Sequence, residues 1–155
     1  METATFGAGC FWGVELNFSN IDGVTATSVG YCGGTAPNPT YEMVCTGQSG
    51  HAEVVQLEFD ASKVTYETLL EAFWNLHDPT TLNRQGPDTG TQYRSAIFFH
   101  NSAQETTARE SKEKLQQSGK FSRDIVTEIV AAPQYYRAED YHQKYLEKRG
   151  MKNCH

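Results

Sequence analysis

The sequence predicts an α+β fold, namely a two-layer sandwich in which a mixed, mainly antiparallel sheet is flanked by helices. Some segments alternate apolar and polar residues as half-buried strands do, and others repeat apolar residues at helical spacing. Glycine and proline collect between them, notably in Gly30 to Pro39 and Gly86 to Gly90. The mixed order of strands and helices is typical of an α+β domain.

The first half of the chain contains three predicted strands and one helix. The strands are Thr3 to Gly7, Val24 to Tyr31 and Ala52 to Phe59, and the helix is Trp12 to Ser19. The first strand runs into a turn at Gly7 and Gly9, so Cys10 lies at a strand-to-helix corner.

The second half contains three predicted helices and two strands. Thr65 can cap a helix with apolar residues at helical spacing, namely Leu69, Leu70, Phe73, Trp74 and Leu76. Ser102 and Glu105 form a capping-box pattern for a mostly polar, largely exposed helix ending near Gly119. The other elements are the strands Arg94 to Phe99 and Ile125 to Val130 and a helix from Ala138 to Lys148. This arrangement suggests a ferredoxin-like core.

Length and composition predict one catalytic domain over residues 1–155, with residues 149–155 as a mobile C-terminal tail. No apolar run approaches the roughly 20 residues that cross a bilayer, and the N-terminus lacks the pattern of a signal peptide. We therefore expect a cytoplasmic protein without a membrane partner. A formal net charge of −6 without a basic cluster gives nucleic acid little to bind.

Cysteine chemistry is possible although the four cysteines never form a C-x-x-C pair. That spacing makes zinc fingers and thioredoxin-like dithiols poor interpretations. Cys10 lies in Gly9-Cys10-Phe11-Trp12-Gly13, at a predicted helix N-terminus whose N–H groups and dipole favour the reactive thiolate. The alternative is a buried cysteine in an aromatic core, but the flanking glycines leave room for a substrate.

Glu53 is the second candidate catalytic residue. Strand alternation places it on the apolar face with Val55, Leu57 and Phe59. Desolvation raises the pKa of a carboxyl in such surroundings, so Glu53 could act as an acid near neutral pH. A strand-end glutamate that turns to solvent is the alternative.

Tyr41, Asp88 and Tyr93 lie in predicted loops and are candidates for binding a polar group of a substrate, because tyrosine hydroxyls both donate and accept hydrogen bonds. The alternative roles are packing for the tyrosines and turn formation for the aspartate. His51, or His77 with Asp78, would allow a Cys-His-Asp hydrolase if either ring reached Cys10. The later histidines, His142 and His155, are interpreted as surface residues, and no spacing indicates a metal site.

The ordered motifs resemble the peptide methionine sulfoxide reductase A family over nearly the whole chain. They are Gly9-Cys10-Phe11-Trp12-Gly13, Val29-Gly30-Tyr31-Cys32-Gly33-Gly34, Pro37-Asn38-Pro39-Thr40-Tyr41, Val44-Cys45-Thr46-Gly47, Gly50-His51-Ala52-Glu53, His77-Asp78-Pro79 and Gly90-Thr91-Gln92-Tyr93-Arg94-Ser95. The resemblance implies reduction of the S epimer of methionine sulfoxide, free or in proteins. It implies no metal or organic cofactor, and we expect a monomer.

The resemblance also implies roles for individual residues. It makes Cys10 the nucleophile, Glu53 the proton donor, and Phe11 and Trp12 the wall that binds the methyl group. The hydrogen-bonding set on the oxygen side comprises Tyr41, Asp88 and Tyr93.

Recycling is expected to use a second thiol and then thioredoxin. The family often has a resolving cysteine in a glycine-rich tail with another beyond it, whereas this tail holds only Cys154. We expect Cys154 to resolve the Cys10 sulfenic acid, because a thiol near a chain end can reach a site that it does not occupy at rest. Cys32 and Cys45 are the alternatives.

Two other classes of protein share some of these features. A thiol peroxidase would also form a sulfenic acid at Cys10, but peroxide needs no methyl-sized aromatic wall. A non-catalytic module that binds oxidised methionine needs neither a reactive thiol nor a buried acid.

Overall fold

A computed structural model describes residues 1–148, and a six-stranded sheet forms its centre. The strand order is β7-β6-β1-β3-β2-β8, with β6 and β7 parallel and the other neighbours antiparallel. A two-stranded hairpin, β4-β5, lies apart from it. The strands are β1 Glu2–Ala8, β2 Val24–Cys32, β3 Ala52–Phe59, β4 Arg84–Gln85, β5 Asp88–Thr89, β6 Ser95–Phe99, β7 Glu128–Ala131 and β8 Tyr136–Arg137.

Five α-helices and two short 3-10 helices complete the described chain. The α-helices are α1 Phe11–Ser19, α2 Tyr41–Cys45, α3 Tyr66–Leu76, α4 Ser102–Gln117 and α5 Tyr145–Lys148. The 3-10 helices are Thr91–Tyr93 and Asp140–His142. No helix within residues 1–148 has the length and apolar character needed to cross a bilayer.

The two faces of the sheet differ in what covers them. Apolar residues of α1, α3 and α4 join the main core on one face, with Phe6, Phe18 and Phe73 stacked near its centre. A smaller cluster on the other face includes Cys32 and Phe98 and is covered by irregular chain. The predicted α+β sandwich with a mixed, mainly antiparallel sheet is therefore confirmed.

Strand register places the residues that matter for the site. β1 pairs with β3 so that Phe6 faces Val55, and continuing this register by two residues puts Ala8 opposite Glu53. On the other side of β3, Tyr31 pairs with Glu53. The start of β3 thus lies beside the end of β1, where the chain turns into α1.

The predicted cap of α3 is confirmed and that of α4 is wrong by one residue. The Thr65 side chain accepts the Thr68 N–H, as expected for an N-cap. In α4 the cap is Asn101, which accepts the Gln104 N–H at 2.9 Å, so Ser102 is already helical. The Gln104 side chain in turn donates to the Thr3 carbonyl, and this tertiary contact helps to fix the helix start. As predicted, α4 is mostly exposed.

The predicted helix from Ala138 to Lys148 is the main error in secondary structure. The segment instead contains the 3-10 helix Asp140–His142 and the single turn α5, and Lys144 between them has a φ of 53°. Its polar groups are bound elsewhere: the Gln143 side chain bonds the Val29 backbone, and the Lys144 N–H donates to Glu15. These tertiary bonds outweigh helical propensity. The predicted tail, with Cys154, lies outside the described residues.

His77 ends α3 with both ring nitrogens hydrogen-bonded inside the protein. Nδ1 lies 2.8 Å from the Phe73 carbonyl and Nε2 lies 2.7 Å from Ser95 Oγ. The His77 ring borders a cleft, but both of its nitrogens point to protein atoms. Water therefore solvates the protonated form of the ring poorly. Burial lowers the pKa of His77 from 6.5 to about 4.

The His77 environment predicts a specific loss of stability in acid. Between pH 6.5 and about 4 the unfolded chain binds a proton that the folded chain does not, so the free energy of unfolding falls as the pH falls. We expect His77 to contribute on the order of 2–3 kcal/mol of this loss. Urea unfolding of the parent and of His77→Gln across this range measures it. The difference between their free energies of unfolding should narrow as the pH falls, and a constant difference would contradict the prediction.

Candidate active site

Cys10 begins α1 directly after the turn that ends β1. Gly9 makes the turn with a φ of 98°, and a Cβ there would approach Gln85 of β4 at 3.0 Å, so both backbone and space favour glycine. Cys10 is the N-cap residue of α1, but its side chain makes no capping hydrogen bond. The thiol is half-buried and lies at the positive end of the helix dipole, which favours a thiolate.

Glu53 lies next to this helix start, as the strand register requires. Its Oε1 accepts the Phe11 N–H at 3.3 Å, and the Phe11 peptide nitrogen is bonded to the Cys10 carbonyl carbon. Glu53 is 2% exposed, on the side of β3 that carries the buried Val55 and Leu57. The strand alternation therefore predicted its burial correctly, and the surface alternative is wrong.

Tyr41 and Tyr93 reach the same region from separate elements. Tyr41 begins α2, and Tyr93 ends a 3-10 helix. Burial, followed by the Glu53 charge, raises the pKa of Tyr41, and the same two causes in the same order raise that of Tyr93 to about 12. Cys10 is among the smaller influences on Tyr93. Both phenols therefore keep their protons at neutral pH and are able to donate them in hydrogen bonds.

Asp88 lies in the hairpin that supports the Cys10 turn. It pairs with Gln85 across β4 and β5, and Gln85 is the residue packed closely against Gly9. The Asp88 carboxyl is half-buried and acts electrostatically on Tyr93. Asp88 therefore lies close enough to Tyr93 to influence its pKa.

Phe11 and Trp12 differ in how much of each ring is accessible. Phe11 is 1% exposed and packs among Tyr31, Tyr41 and His142 at centroid distances of 5.2 to 6.4 Å. Trp12 is half-buried and stacks on Tyr145 at 3.8 Å with an interplanar angle of 7°. Of the two rings predicted to form the methyl-binding wall, Trp12 is therefore partly accessible, whereas Phe11 lies in the core.

Four residues that the sequence analysis did not assign to the site also lie there. His142 accepts the Trp12 indole N–H, and Tyr145 stacks on the same indole ring. The Glu139 carboxylate accepts both the Tyr31 hydroxyl and the Tyr41 N–H at 3.0 Å. Cys45, one helical turn after Tyr41 in α2, lies close enough to contribute to the raised pKa of Tyr41. The surface interpretation of His142 was wrong, because the residue is buried.

The two histidines considered for a hydrolase are bound into the scaffold. His51 contacts the Gly34 N–H and the Ala36 carbonyl through its two ring nitrogens. Since both nitrogens of His77 are also occupied by protein atoms, neither ring is arranged to take a proton from Cys10. Within residues 1–148 no group of three or more His, Cys, Asp or Glu side chains is arranged to hold a metal ion.

Cys10 also borders a cleft on the side away from the aromatic residues. The cleft has a volume of about 520 Å³ and lies between α1 and the chain from Leu76 to Pro87. Glu53, Tyr41 and Trp12 do not line it. The thiol therefore lies between this cleft and the region of the tyrosines and Glu53.

The fold and site define a class of protein: an α+β protein with a half-buried cysteine at a helix N-terminus, beside a buried carboxyl that influences two phenols. The family model described as peptide methionine sulfoxide reductase matches residues 2–155. The chain belongs to that family.

Curated relatives agree over almost the full chain. The peptide methionine sulfoxide reductase MsrA of Methanoculleus marisnigri is 60% identical over 99% of this chain and 94% of its own length. The MsrA of Geobacter metallireducens is 58% identical over 99% of this chain and 95% of its own length.

Solved structures of the family show the same fold. Reduced Mxr1 from Saccharomyces cerevisiae has a TM-score of 0.90 and 37% identity, covering 96% of this chain and 86% of that one. Methionine sulfoxide reductase A of Corynebacterium diphtheriae has a TM-score of 0.89 and 44% identity, covering 99% and 77%. Mxr1 in complex with Trx2 has a TM-score of 0.65 and 25% identity, covering 93% and 84%.

Proposed function

We propose that this protein reduces the S epimer of methionine sulfoxide to methionine, with Cys10 as nucleophile and Glu53 as proton donor. Membership of the family supports the reaction. The observation that carries the residue roles is the Glu53 carboxyl bound to the Phe11 N–H, immediately beside the reactive cysteine.

The reductase step requires a nucleophile and an acid on the same sulfoxide. The Cys10 thiolate attacks the sulfoxide sulfur, while Glu53 gives a proton to the oxygen and helps the S–O bond to break. The hydroxyl then passes to the Cys10 sulfur as the bond between the two sulfurs breaks and its electron pair returns to the substrate sulfur. Cys10 is thereby oxidised by two electrons to a sulfenic acid, and methionine leaves with its sulfur reduced by two electrons. No metal or organic cofactor is needed for this balance.

The oxygen side of the substrate meets Tyr41 and Tyr93. Their raised pKa values keep both hydroxyls protonated, so they act as neutral donors where negative charge develops on the oxygen. Asp88 acts on this set through Tyr93. The apolar side of the substrate, its methyl group, meets Trp12, with Phe11 as the buried support.

Recycling requires a second thiol, and we assign it to Cys154 of the tail. Cys32 is 1% exposed, and burial raises the pKa of its thiol to about 12, so it is a poor nucleophile. Cys154 is the sixth residue after Lys148, and at about 3.5 Å for each extended residue this length of chain bounds its distance from the end of α5 at roughly 20 Å; α5 packs on α1. It condenses with the sulfenic acid to form a disulfide and water.

We further propose thioredoxin as the dithiol that reduces this disulfide. The solved structure of Mxr1 with Trx2 supports this choice, since that protein shares the fold and the family. The protein is expected to act as a cytoplasmic monomer on oxidised methionine, either free or within proteins.

The two epimers of a methionine sulfoxide peptide test the function. With dithiothreitol, the parent should return methionine from the S epimer alone, and Cys10→Ser should lose this activity because its hydroxyl hardly ionises. Hydrogen peroxide reduction under the same conditions tests the peroxidase alternative. Equal reduction of both epimers, or activity retained in Cys10→Ser with an unchanged circular dichroism spectrum, contradicts the assignment.

Glu53→Gln tests the acid. The amide cannot supply a proton, so the single-turnover rate should fall by about 10²–10⁴-fold, while substrate binding changes less. Glu58→Gln is the matched control, since it makes the same change on an exposed position of the same strand. An unchanged single-turnover rate in Glu53→Gln would rule out the role.

Cys154→Ser tests the resolving thiol, with Cys45→Ser as the comparison because Cys45 lies near the substrate site. Cys154→Ser should form about one methionine per enzyme and lose turnover with thioredoxin, whereas dithiothreitol restores turnover. Cys45→Ser should keep thioredoxin-driven turnover. Peptide mapping that finds a Cys10–Cys45 or Cys10–Cys32 disulfide in the parent would overturn the assignment.

A further inference from the structure

His142 lies at the centre of the aromatic group beside Cys10. It is 0% exposed and ends the 3-10 helix Asp140–His142. Four rings lie around it at centroid distances of 4.1 to 5.7 Å: Phe11, Trp12, Tyr41 and Tyr141. The imidazole therefore contacts both the wall proposed for the methyl group and one of the phenols proposed for the oxygen.

The hydrogen bond to Trp12 fixes the state of this imidazole. The indole Nε1–H is a donor only, and it lies 2.9 Å from His142 Nδ1. Nδ1 must therefore carry the lone pair, which places the proton of the neutral ring on Nε2. A protonated ring would turn an N–H towards the indole N–H, and the bond would be lost.

The surroundings of His142 favour the neutral form. Burial lowers its pKa from the usual value, and the nearby Glu139 carboxylate opposes this effect. Tyr41 on α2 and Tyr141 on the same segment have raised pKa values, so both are neutral phenols near pH 7. His142 Nε2 has no hydrogen-bond partner among residues 1–148, so no acceptor in this part of the chain stabilises the cation there.

Two contacts of the Trp12 ring bear on its orientation. One face stacks on Tyr145, and a stacked pair allows sliding and rotation in the plane of contact. The bond to His142 holds the N–H edge, and Trp12 remains partly exposed. The Nδ1 acceptor of His142 therefore contributes to the orientation of the indole in its plane.

We propose that His142 is a positioning residue that sets methyl recognition: its neutral imidazole holds the Trp12 ring in place, and protonation releases it. The proposal rests on the function proposed above, in which Trp12 binds the substrate methyl group. It adds a titratable control of substrate binding that is separate from the chemistry at Cys10 and Glu53.

His142→Asn and His142→Leu form a matched pair for the test. Asparagine has an oxygen acceptor on Cγ, where histidine has Nδ1, and it does not titrate. Leucine has the same branching with no acceptor. Both are made in a Trp74→Phe background, so that Trp12 is the fluorescent indole; Trp74 lies in α3 and bonds Ser111, away from the substrate site.

Activity at pH 7.5 is the first measurement. His142→Leu should lower kcat/KM for the S epimer of a methionine sulfoxide peptide by about tenfold, the scale of one lost hydrogen bond, chiefly through KM. His142→Asn should recover most of that loss. Equal losses in the two variants would show that His142 only fills space, and the proposal would fail.

Trp12 fluorescence between pH 8 and pH 4.5 is the second measurement and needs no substrate. Emission from the Trp74→Phe protein that keeps His142 should change with pH below 6.5, because an imidazolium quenches a neighbouring indole. His142→Asn in the same background should remove this change. Parent kcat/KM relative to His142→Asn should fall over the same pH range. The proposal fails if His142→Asn leaves the pH dependence of Trp12 emission unchanged. It also fails if emission from the protein with His142 stays constant down to the pH of acid unfolding. An inactive parent with a normal titration would instead contradict only the proposed function.

Discussion

The hydrogen bond from the Phe11 N–H to the Glu53 carboxyl joins the start of α1 to the sheet, and the site depends on it. A first-turn N–H needs an acceptor, and a buried carboxyl needs a donor, so each group satisfies a requirement of the other. Because Glu53 accepts one of the N–H groups in the first turn of the helix, Cys10 can occupy the N-cap position without its side chain capping the helix. The helix is thus stabilised without using the reactive group.

The chain after β8 holds the other side of the site, although it has little regular structure. Gln143 bonds both backbone groups of Val29 on β2, and the Lys144 N–H donates to Glu15 of α1 at 2.6 Å. Between these anchors and β8, Glu139 fixes the start of α2 through the Tyr41 N–H. Side chains therefore provide the bonds that a backbone ladder would provide elsewhere. This explains why the segment keeps a fixed shape without forming the helix that its sequence pattern suggested.

Sequence patterns predicted five of the six strands of the sheet, the cap of α3 and the burial of Glu53, because each depends on residues that are close along the chain. They did not predict β8, which has only two residues and is defined by its pairing with β2. The environments of His142 and Cys45 depend on other contacts. His142 meets Trp12 across 130 positions of sequence. The sequence analysis placed His142 on one helix from Ala138 to Lys148 and interpreted it as a surface residue, whereas the irregular segment brings its ring to the Trp12 indole. The Pro-Thr-Tyr motif indicated Tyr41, but only the structure showed that α2 carries Cys45 on the same face.

The residues proposed for the oxygen of the substrate and the ring proposed for its methyl group are held by different kinds of contact. The difference follows from the group that each of them offers to the substrate. In the proposed mechanism Glu53, Tyr41 and Tyr93 donate hydrogen bonds or protons, so each can be held by the element that carries it. Trp12 must present a ring surface, and a ring packed on both faces in the core would have none to offer. Stacking one face on Tyr145 and binding the N–H edge to His142 restrict the indole while leaving the rest of it accessible. In the proposed mechanism, selectivity for the methyl group therefore depends on a hydrogen bond that the methyl group does not contact.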